Sequence, residues 1–146
     1  MHPLPHRYTV TASMHPGGDV PLAYPGVRVI ESAAPKEFDG PGNQWSPEGL
    51  LTAAVADCFA LGFRAIATAS KYAWQSLDVR TEGTLDRVDG KMLFTQFHTV
   101  AKLQVPAGTD LERGKKLLEK AEANCLVANS LTSQRHLTAE VIAQPA

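Results

Sequence analysis

A long apolar segment, which begins at Ser46 and continues to about Tyr72, constrains this chain more than any other feature. Ser46 is a capping residue, and the proline and glutamate that follow it favour a helix start. Beyond the first turn, only Asp57 and Arg64 carry charge before the last turn. A helix without a wide polar face is buried on most sides, in a core or in a subunit interface. In a chain of 146 residues, so much apolar helix surface predicts a homodimer.

The composition is that of one globular domain, which we expect to span residues 1–146. Fourteen Lys and Arg against fifteen Asp and Glu leave a net charge of -1, with no block of like charges. We therefore expect no nucleic-acid partner and no anionic membrane surface as partner. The first twenty residues lack a signal-peptide pattern, and the charge-free runs are too short and too polar for a membrane span. A cytoplasmic location is the expectation.

The pattern around the long helix predicts strands. Arg7–His15 and Val27–Glu31 alternate apolar and polar residues, as strands with one buried face do. Ser76–Arg87 and Lys91–Val105 are also strand-like, and Asp89-Gly90 between them is a strong hairpin signal. The order of strands, long helix, hairpin, helix and strand shows no βαβ alternation, which indicates an α+β fold.

The C-terminal third predicts a second helix, a short helical turn and a last strand. Thr109 and Glu112 are three residues apart and form a capping box. The helix that follows has one apolar stripe and ends near Asn124. Cys125–Leu131 predicts the short turn, and His136–Ala143 predicts the strand.

Recognisable site motifs are scarce in this chain. It has no glycine-rich phosphate loop, no HExxH and no GxSxG. The five histidines are scattered, and His2 and His6, which are four apart, are interrupted by prolines that disfavour a shared helix. We expect no metal and no bound cofactor. Cys58 and Cys125 remain as the candidates for chemistry.

The residues around the two cysteines leave their role open. Cys58 lies within the apolar helix, where burial makes a thiol inert unless a cationic or hydrogen-bonding neighbour stabilises the thiolate. Cys125 lies between a helix end, which disfavours a thiolate, and the start of a turn, which favours one. They are either inert core residues or a redox pair.

Each cysteine lies in a distinctive segment of the chain. The first segment is Trp45–Cys58, with the sequence WSPEGLLTAAVADC, and the second is Ala121–Leu131, with the sequence AEANCLVANSL. Both segments resemble those of the OsmC/Ohr family of osmotically inducible and organic hydroperoxide resistance proteins. The order of elements and the total length also match, so the resemblance covers nearly the whole chain.

The resemblance implies antiparallel sheets packed around a long, central, buried helix in an intertwined homodimer. Cys58 matches the peroxidatic cysteine, whose thiolate attacks an organic hydroperoxide and becomes a sulfenic acid. Cys125 matches the resolving cysteine, which condenses with it to an intramolecular disulfide. An external dithiol reductant, of lipoyl type or another thiol, then regenerates both thiols. Glu48 matches a glutamate that helps to orient a catalytic arginine toward the thiolate.

The spacing between Glu48 and Cys58 limits how both could serve one site. Ten residues of straight helix cover about 15 Å along the axis, so these two side chains cannot meet within one helix. Either the helix start is broken or Glu48 comes from a partner chain, packed antiparallel. Alternatively, Glu48 is simply a carboxylate favoured at a helix N-terminus.

The chain departs from the family pattern at two places. The hydroperoxide resistance branch has an arginine in the N-terminal glycine-rich turn, whereas residues 15–19 here read HPGGD. Arg7, Arg28 and Arg64 are candidates for its role, but each is equally well explained as a solvated or interface charge, so none of them is predicted to fill it. Leu126 stands where many relatives have proline after the second cysteine. These departures indicate a less-characterised OsmC-like branch.

Three functions remain in competition. The first is a thiol peroxidase with an apolar pocket, which favours organic hydroperoxides over hydrogen peroxide. The second is a non-catalytic OsmC-like protein that binds a small hydrophobic ligand, which the missing arginine favours. The third is a thiol redox sensor. The separation of Cys58 and Cys125 in the fold discriminates between them, because a disulfide needs the two Cα atoms within about 7 Å.

Overall fold

The computed structural model describes residues 1–146. The chain forms two compact units, residues 1–51 and residues 52–146, and the division lies within the long helix α1, Pro47–Ala69. Each unit contains one three-stranded sheet. The mixture of helices and strands confirms the predicted α+β class.

The first unit contains a small antiparallel sheet. Its strands are β1 (Thr11–Ala12), β2 (Val20–Ala23) and β3 (Ile30–Ser32), in the order β1-β2-β3. After β3, a single 3-10 turn covers Lys36–Phe38 within the loop that leads to α1.

The strand predictions in this unit were partly wrong. The predicted strand Arg7–His15 shrinks to two paired residues, because alternation cannot show how far a partner strand extends. The predicted strand Val27–Glu31 begins three residues later and ends at Ser32. The middle strand β2 was missed, because Pro21 lacks an N–H and argues against a strand. Pro21 is nevertheless paired in register with Glu31.

Helix α1 begins as predicted, and ends three residues earlier than predicted. The backbone N–H of Gly49 donates to Ser46 Oγ at 3.0 Å, which confirms the cap. At the other end, Lys71 adopts a left-handed φ of 51°, and the N–H of Tyr72 donates back to Ala67 O at 2.9 Å. This is a Schellman-type ending. It was missed because a lysine, not a glycine, occupies the left-handed position.

The long helix is less buried in the chain than predicted. Its buried residues are Val55, Phe59, Phe63 and Ala67, which form one stripe at a spacing of four, hereafter the apolar stripe of α1. Leu61, on another face, is 50% exposed. The chain's own core therefore covers one face of α1, and the expected burial of the other faces in a subunit interface stays a prediction.

By length and composition alone, α1 is apolar enough to cross a membrane, which corrects the expectation that no segment meets that criterion. Core helices of soluble proteins meet the same criterion, so the finding is weak evidence for a membrane span.

The second unit contains a mixed sheet. Its strands are β4 (Ser76–Val88), β5 (Lys91–Val105) and β6 (Gln134–Ala143), in the order β4-β5-β6. Strands β4 and β5 form the predicted hairpin, and Asp89 and Gly90 take the positive φ values of 50° and 79° that such a two-residue turn requires.

The pairing of β5 with β6 is parallel, which corrects the expectation of antiparallel sheets without a βαβ unit. Helices α2 (Leu111–Ala123) and α3 (Leu126–Asn129) form the crossover between these strands. Parallel strands need a long crossover connection of this kind. The alternation of residues along a strand does not show whether the strand pairs parallel or antiparallel, so the sequence did not predict this pairing.

Helix α2 is capped by Asp110 and not by the predicted Thr109, since Asp110 Oδ1 accepts from the N–H of Arg113 at 3.0 Å. The predicted apolar stripe is otherwise confirmed, because its central residues are buried, although Leu111 is 41% exposed. The core of this unit joins α1, α2 and β5, and consists of Phe59, Phe63, Ala67, Tyr72, Ala101, Leu103, Val105, Leu117, Leu118 and Ala121.

Gly114 allows α2 to approach Tyr72. A Cβ at this position would collide with the Tyr72 hydroxyl, which donates to Asp110 O at 2.9 Å. We expect Gly114→Ala to lower the free energy of unfolding by about 1–3 kcal/mol, because the ring must move within a packed core. Urea denaturation measures this change. Gly17→Ala is the control, since no atom lies within 4 Å of a Cβ added at that position. A free energy of unfolding that is the same in Gly114→Ala as in the wild type would contradict the close packing of α2 against Tyr72.

Candidate active site

The two cysteines lie in the second unit, on different elements. Cys58 is half-buried on α1, one residue before Phe59 of the apolar stripe. Cys125 is 2% exposed and is the residue that precedes α3. It has extended backbone angles because α2 has ended at Ala123 and the chain must turn there into α3. Both cysteines are free thiols.

The fold brings these two thiols together. The Cys58 side chain lies close enough to that of Cys125 to raise the pKa of the Cys125 thiol, although the two residues are 67 positions apart in the sequence and the sequence alone left their proximity open. Their catalytic roles remain a prediction.

The surroundings of Cys125 hold it in the neutral thiol form. Its pKa is raised, chiefly because burial removes water from the thiolate, and the adjacent Cys58 and Glu122 act in the same direction. The backbone amide of Ala128, at the start of α3, opposes the rise. The effect of this amide agrees with the expectation that the start of the turn favours a thiolate, but burial outweighs it.

The raised pKa of Cys125 predicts a stability that declines at alkaline pH. At pH values above 9.0 the unfolded chain releases the Cys125 proton, whereas the folded chain still keeps it. The contribution of Cys125 to the free energy of unfolding is therefore complete below pH 9.0 and is lost as the pH rises above that value. We expect the difference in unfolding free energy between the wild type and Cys125→Ala to shrink as pH rises through this range. Urea denaturation from neutral to alkaline pH measures it. A difference independent of pH would show that burial does not protect the thiol.

Glu48 lies in the first turn of α1, and its Oε2 atom is buried. It forms part of the wall of a largely apolar cavity of about 640 Å³ within the first unit. The cavity is lined by Ala12, Val20, Leu22, Ser32, Ala33, Ala34, Pro35, Phe38, Pro47, Glu48 and Leu50. Because α1 is continuous from Pro47, a broken helix start is excluded as a way to bring Glu48 to Cys58 of the same chain.

The three arginines considered as substitutes for the missing family arginine, Arg7, Arg28 and Arg64, are all exposed. Arg135, at the start of β6, was not among the predicted site residues, although it contacts the segment that carries Cys125. Its Nε donates to Glu122 Oε1 at 2.8 Å, and its Nη1 donates to Asn129 Oδ1 at 2.6 Å. No spacing signal could have revealed these contacts, because they depend on the parallel pairing of β5 with β6.

Potential metal ligands do not converge. His98 and His136 are opposite each other on β5 and β6, with ring centroids 6.3 Å apart. No group of three or more His, Cys, Asp or Glu side chains is placed to hold a metal ion.

Comparison with known proteins places this α+β chain and its two thiols in a family. The family described as OsmC-like protein matches residues 40–140. The chain therefore belongs to the OsmC-like protein family, which confirms the resemblance found in the sequence.

Individual relatives are distant. The chain is 25% identical over 140 residues to the uncharacterized protein YmaD of Bacillus subtilis (strain 168), covering 92% of this chain and 93% of that protein. It is 28% identical over 89 residues to peroxiredoxin OsmC of Escherichia coli (strain K12), covering 61% and 62%. The structure is similar to that of an organic hydroperoxide resistance protein OsmC from Legionella pneumophila, with a TM-score of 0.70, 23% identity, and coverage of 94% and 98%. The last comparison supports the fold alone.

Proposed function

We propose that this protein is a thiol-dependent peroxidase that reduces organic hydroperoxides through Cys58 and Cys125. The observation that carries the proposal is the proximity of two free thiols, one on α1 and one at the start of α3. Membership of a family that includes a peroxiredoxin supports it. The reaction needs no bound cofactor, and it is consistent with a reducing cytoplasmic location.

In the first step, the Cys58 thiolate attacks the terminal oxygen of the hydroperoxide. The O–O bond breaks, the leaving alkoxide takes a proton to become an alcohol, and Cys58 becomes a sulfenic acid. Cys58 is the residue for this step because it is the less buried thiol, whereas Cys125 is 2% exposed and held protonated.

In the second step, the Cys125 sulfur attacks the Cys58 sulfenic acid. A disulfide forms, and the hydroxyl group leaves with the thiol proton as water. An external dithiol, of lipoyl type or another thiol, then reduces the disulfide by exchange and becomes oxidised itself. The neutral state of Cys125 protects it from reacting with peroxide before Cys58 does.

The active unit is proposed to be a homodimer. Two observations support this. The chain's own core covers only one face of α1. In addition, Glu48 is separated from Cys58 by about 15 Å along the axis of an unbroken helix. In an antiparallel pair of α1 helices, the partner subunit's Glu48 would complete each site. The apolar cavity beside Glu48 would then accept the hydrocarbon part of the hydroperoxide.

Consumption of cumene hydroperoxide with a dithiol reductant tests the reaction. We expect Cys58→Ser to reduce turnover by about a thousandfold, because the nucleophile is lost. Cys125→Ser should still react once and accumulate a Cys58 sulfenic acid, which dimedone traps. Equal, slow consumption by the wild type and Cys58→Ser would overturn the peroxidase proposal.

Heterodimers test whether Glu48 acts across the subunit interface. A dimer of one Cys58→Ser chain and one Glu48→Gln chain contains one intact site if Glu48 acts in the partner, and none if it acts within its own chain. We expect about half of the wild-type turnover in the mixed dimer, since a two-fold dimer has two equivalent sites. Each homodimeric variant is the control. Mixed dimers no more active than these controls would exclude the shared site.

The second candidate function is non-catalytic binding of a small hydrophobic ligand, which the apolar cavity of the first unit favours. It predicts that a small hydrophobic ligand remains bound to the purified protein and that Cys58 shows no more reactivity toward peroxide than a free thiol. Fast stoichiometric disulfide formation without turnover would instead indicate a redox sensor.

A further inference from the structure

The turn that carries Cys125 is tied together by one arginine. This turn, Glu122–Asn129, is called the α2–α3 corner below. Arg135 donates to the Glu122 carboxylate and to its backbone carbonyl, and also to Asn129 Oδ1. One guanidinium group therefore holds both ends of the corner, with Cys125 between them.

The corner also closes on itself through hydrogen bonds that include Cys125. The N–H of Cys125 donates to Glu122 O at 3.2 Å, and Cys125 O accepts from the N–H of Asn129 at 2.8 Å. The side-chain amide of Asn129 donates to Ala123 O at 3.3 Å. Displacement of either end would thus move the cysteine backbone.

Arg135 connects this corner to a rigid part of the fold. It lies on β6, where it is paired in register with Phe97 of β5. The ion pair is shielded, since the side chains of Arg135 and Glu122 are 25% and 17% exposed. The Arg80–Glu82 pair on β4 differs, because it is 3.7 Å long and its side chains are 76% and 64% exposed. Shielded, multiply hydrogen-bonded pairs hold geometry, whereas exposed pairs contribute little.

We propose that Arg135 is a positioning residue for disulfide closure, which holds the α2–α3 corner so that Cys125 faces Cys58. The inference rests on the proposed redox pair. Its physical reason is that a disulfide forms only within a narrow range of Cα separations and dihedral angles.

The experiment separates oxidation of Cys58 from closure of the disulfide. The reduced full-length protein is mixed with stoichiometric cumene hydroperoxide, and sulfenic acid and disulfide are followed over time. For Arg135→Gln we expect closure to slow about tenfold, as for loss of a hydrogen-bonded charged group, with accumulation of the dimedone adduct. The rate of sulfenic acid formation should stay at the wild-type value. Arg80→Gln is the matched control, and closure should be unchanged in it.

A milder variant keeps the test valid if Arg135→Gln does not fold. Asn129→Ala removes one acceptor of Arg135 and also the side-chain donor to Ala123 O, but it leaves the ion pair intact, so we expect a smaller slowing of closure. Glu122→Gln keeps an oxygen that accepts from Arg135, and should close at nearly the wild-type rate. Thermal denaturation of each variant reports its stability separately.

Closure by diamide, a thiol oxidant that needs no peroxidase activity, distinguishes the two proposals. Diamide forms an adduct with one thiol, and the second thiol displaces it to give the disulfide and the reduced reagent. If the wild type forms the Cys58–Cys125 disulfide with diamide but does not reduce cumene hydroperoxide, the proposed peroxidase function is overturned, whereas the proposed role of Arg135 is not. Wild-type closure rates in Arg135→Gln, or equal slowing of sulfenic acid formation and closure, would overturn the positioning role.

Discussion

The packing of one face of α1 against the core of the second unit is the constraint on which the rest of that unit depends. Phe59 and Phe63 are fully buried, together with β5 and α2 residues. Truncation of such a phenylalanine costs about 3–5 kcal/mol, so the rotation of α1 about its axis is strongly fixed. Cys58 is the neighbour of Phe59 along the helix. The packing of the helix therefore sets the direction in which the Cys58 side chain leaves α1.

The second cysteine is placed by a different kind of interaction. Cys125 lies in a tight corner between two helices, where backbone groups at the end of α2 need partners. Arg135, reaching from β6, supplies one of these partners at Glu122. A redox pair in this protein thus combines a thiol on a rigid, packed helix with a thiol on a corner that is held by hydrogen bonds.

Local chemistry explains which elements the sequence predicted well. The Ser46 cap, the Asp89-Gly90 turn and the apolar stripe of α2 depend only on neighbouring residues, and the structure confirms them. The errors occur where the outcome depends on distant residues. Strand β2 contains a proline and pairs because strands lie on both sides of it, and α2 begins one residue later than its capping box indicated.

The candidate site shows the same difference between features that depend on neighbouring residues and features that depend on distant ones. Two separated sequence segments sufficed to identify the family, since a helix start, a cysteine within the helix and a cysteine after a second helix are readable along the chain. The contact between the thiols, the protonated state of Cys125 and the contacts of Arg135 were not readable. They arise from the parallel β5–β6 pairing and its helical crossover, which bring residues from distant parts of the chain together. The sequence by itself determined which residues could react, whereas only the tertiary structure decided which of them meet, because burial and contact between distant residues are properties of the folded chain.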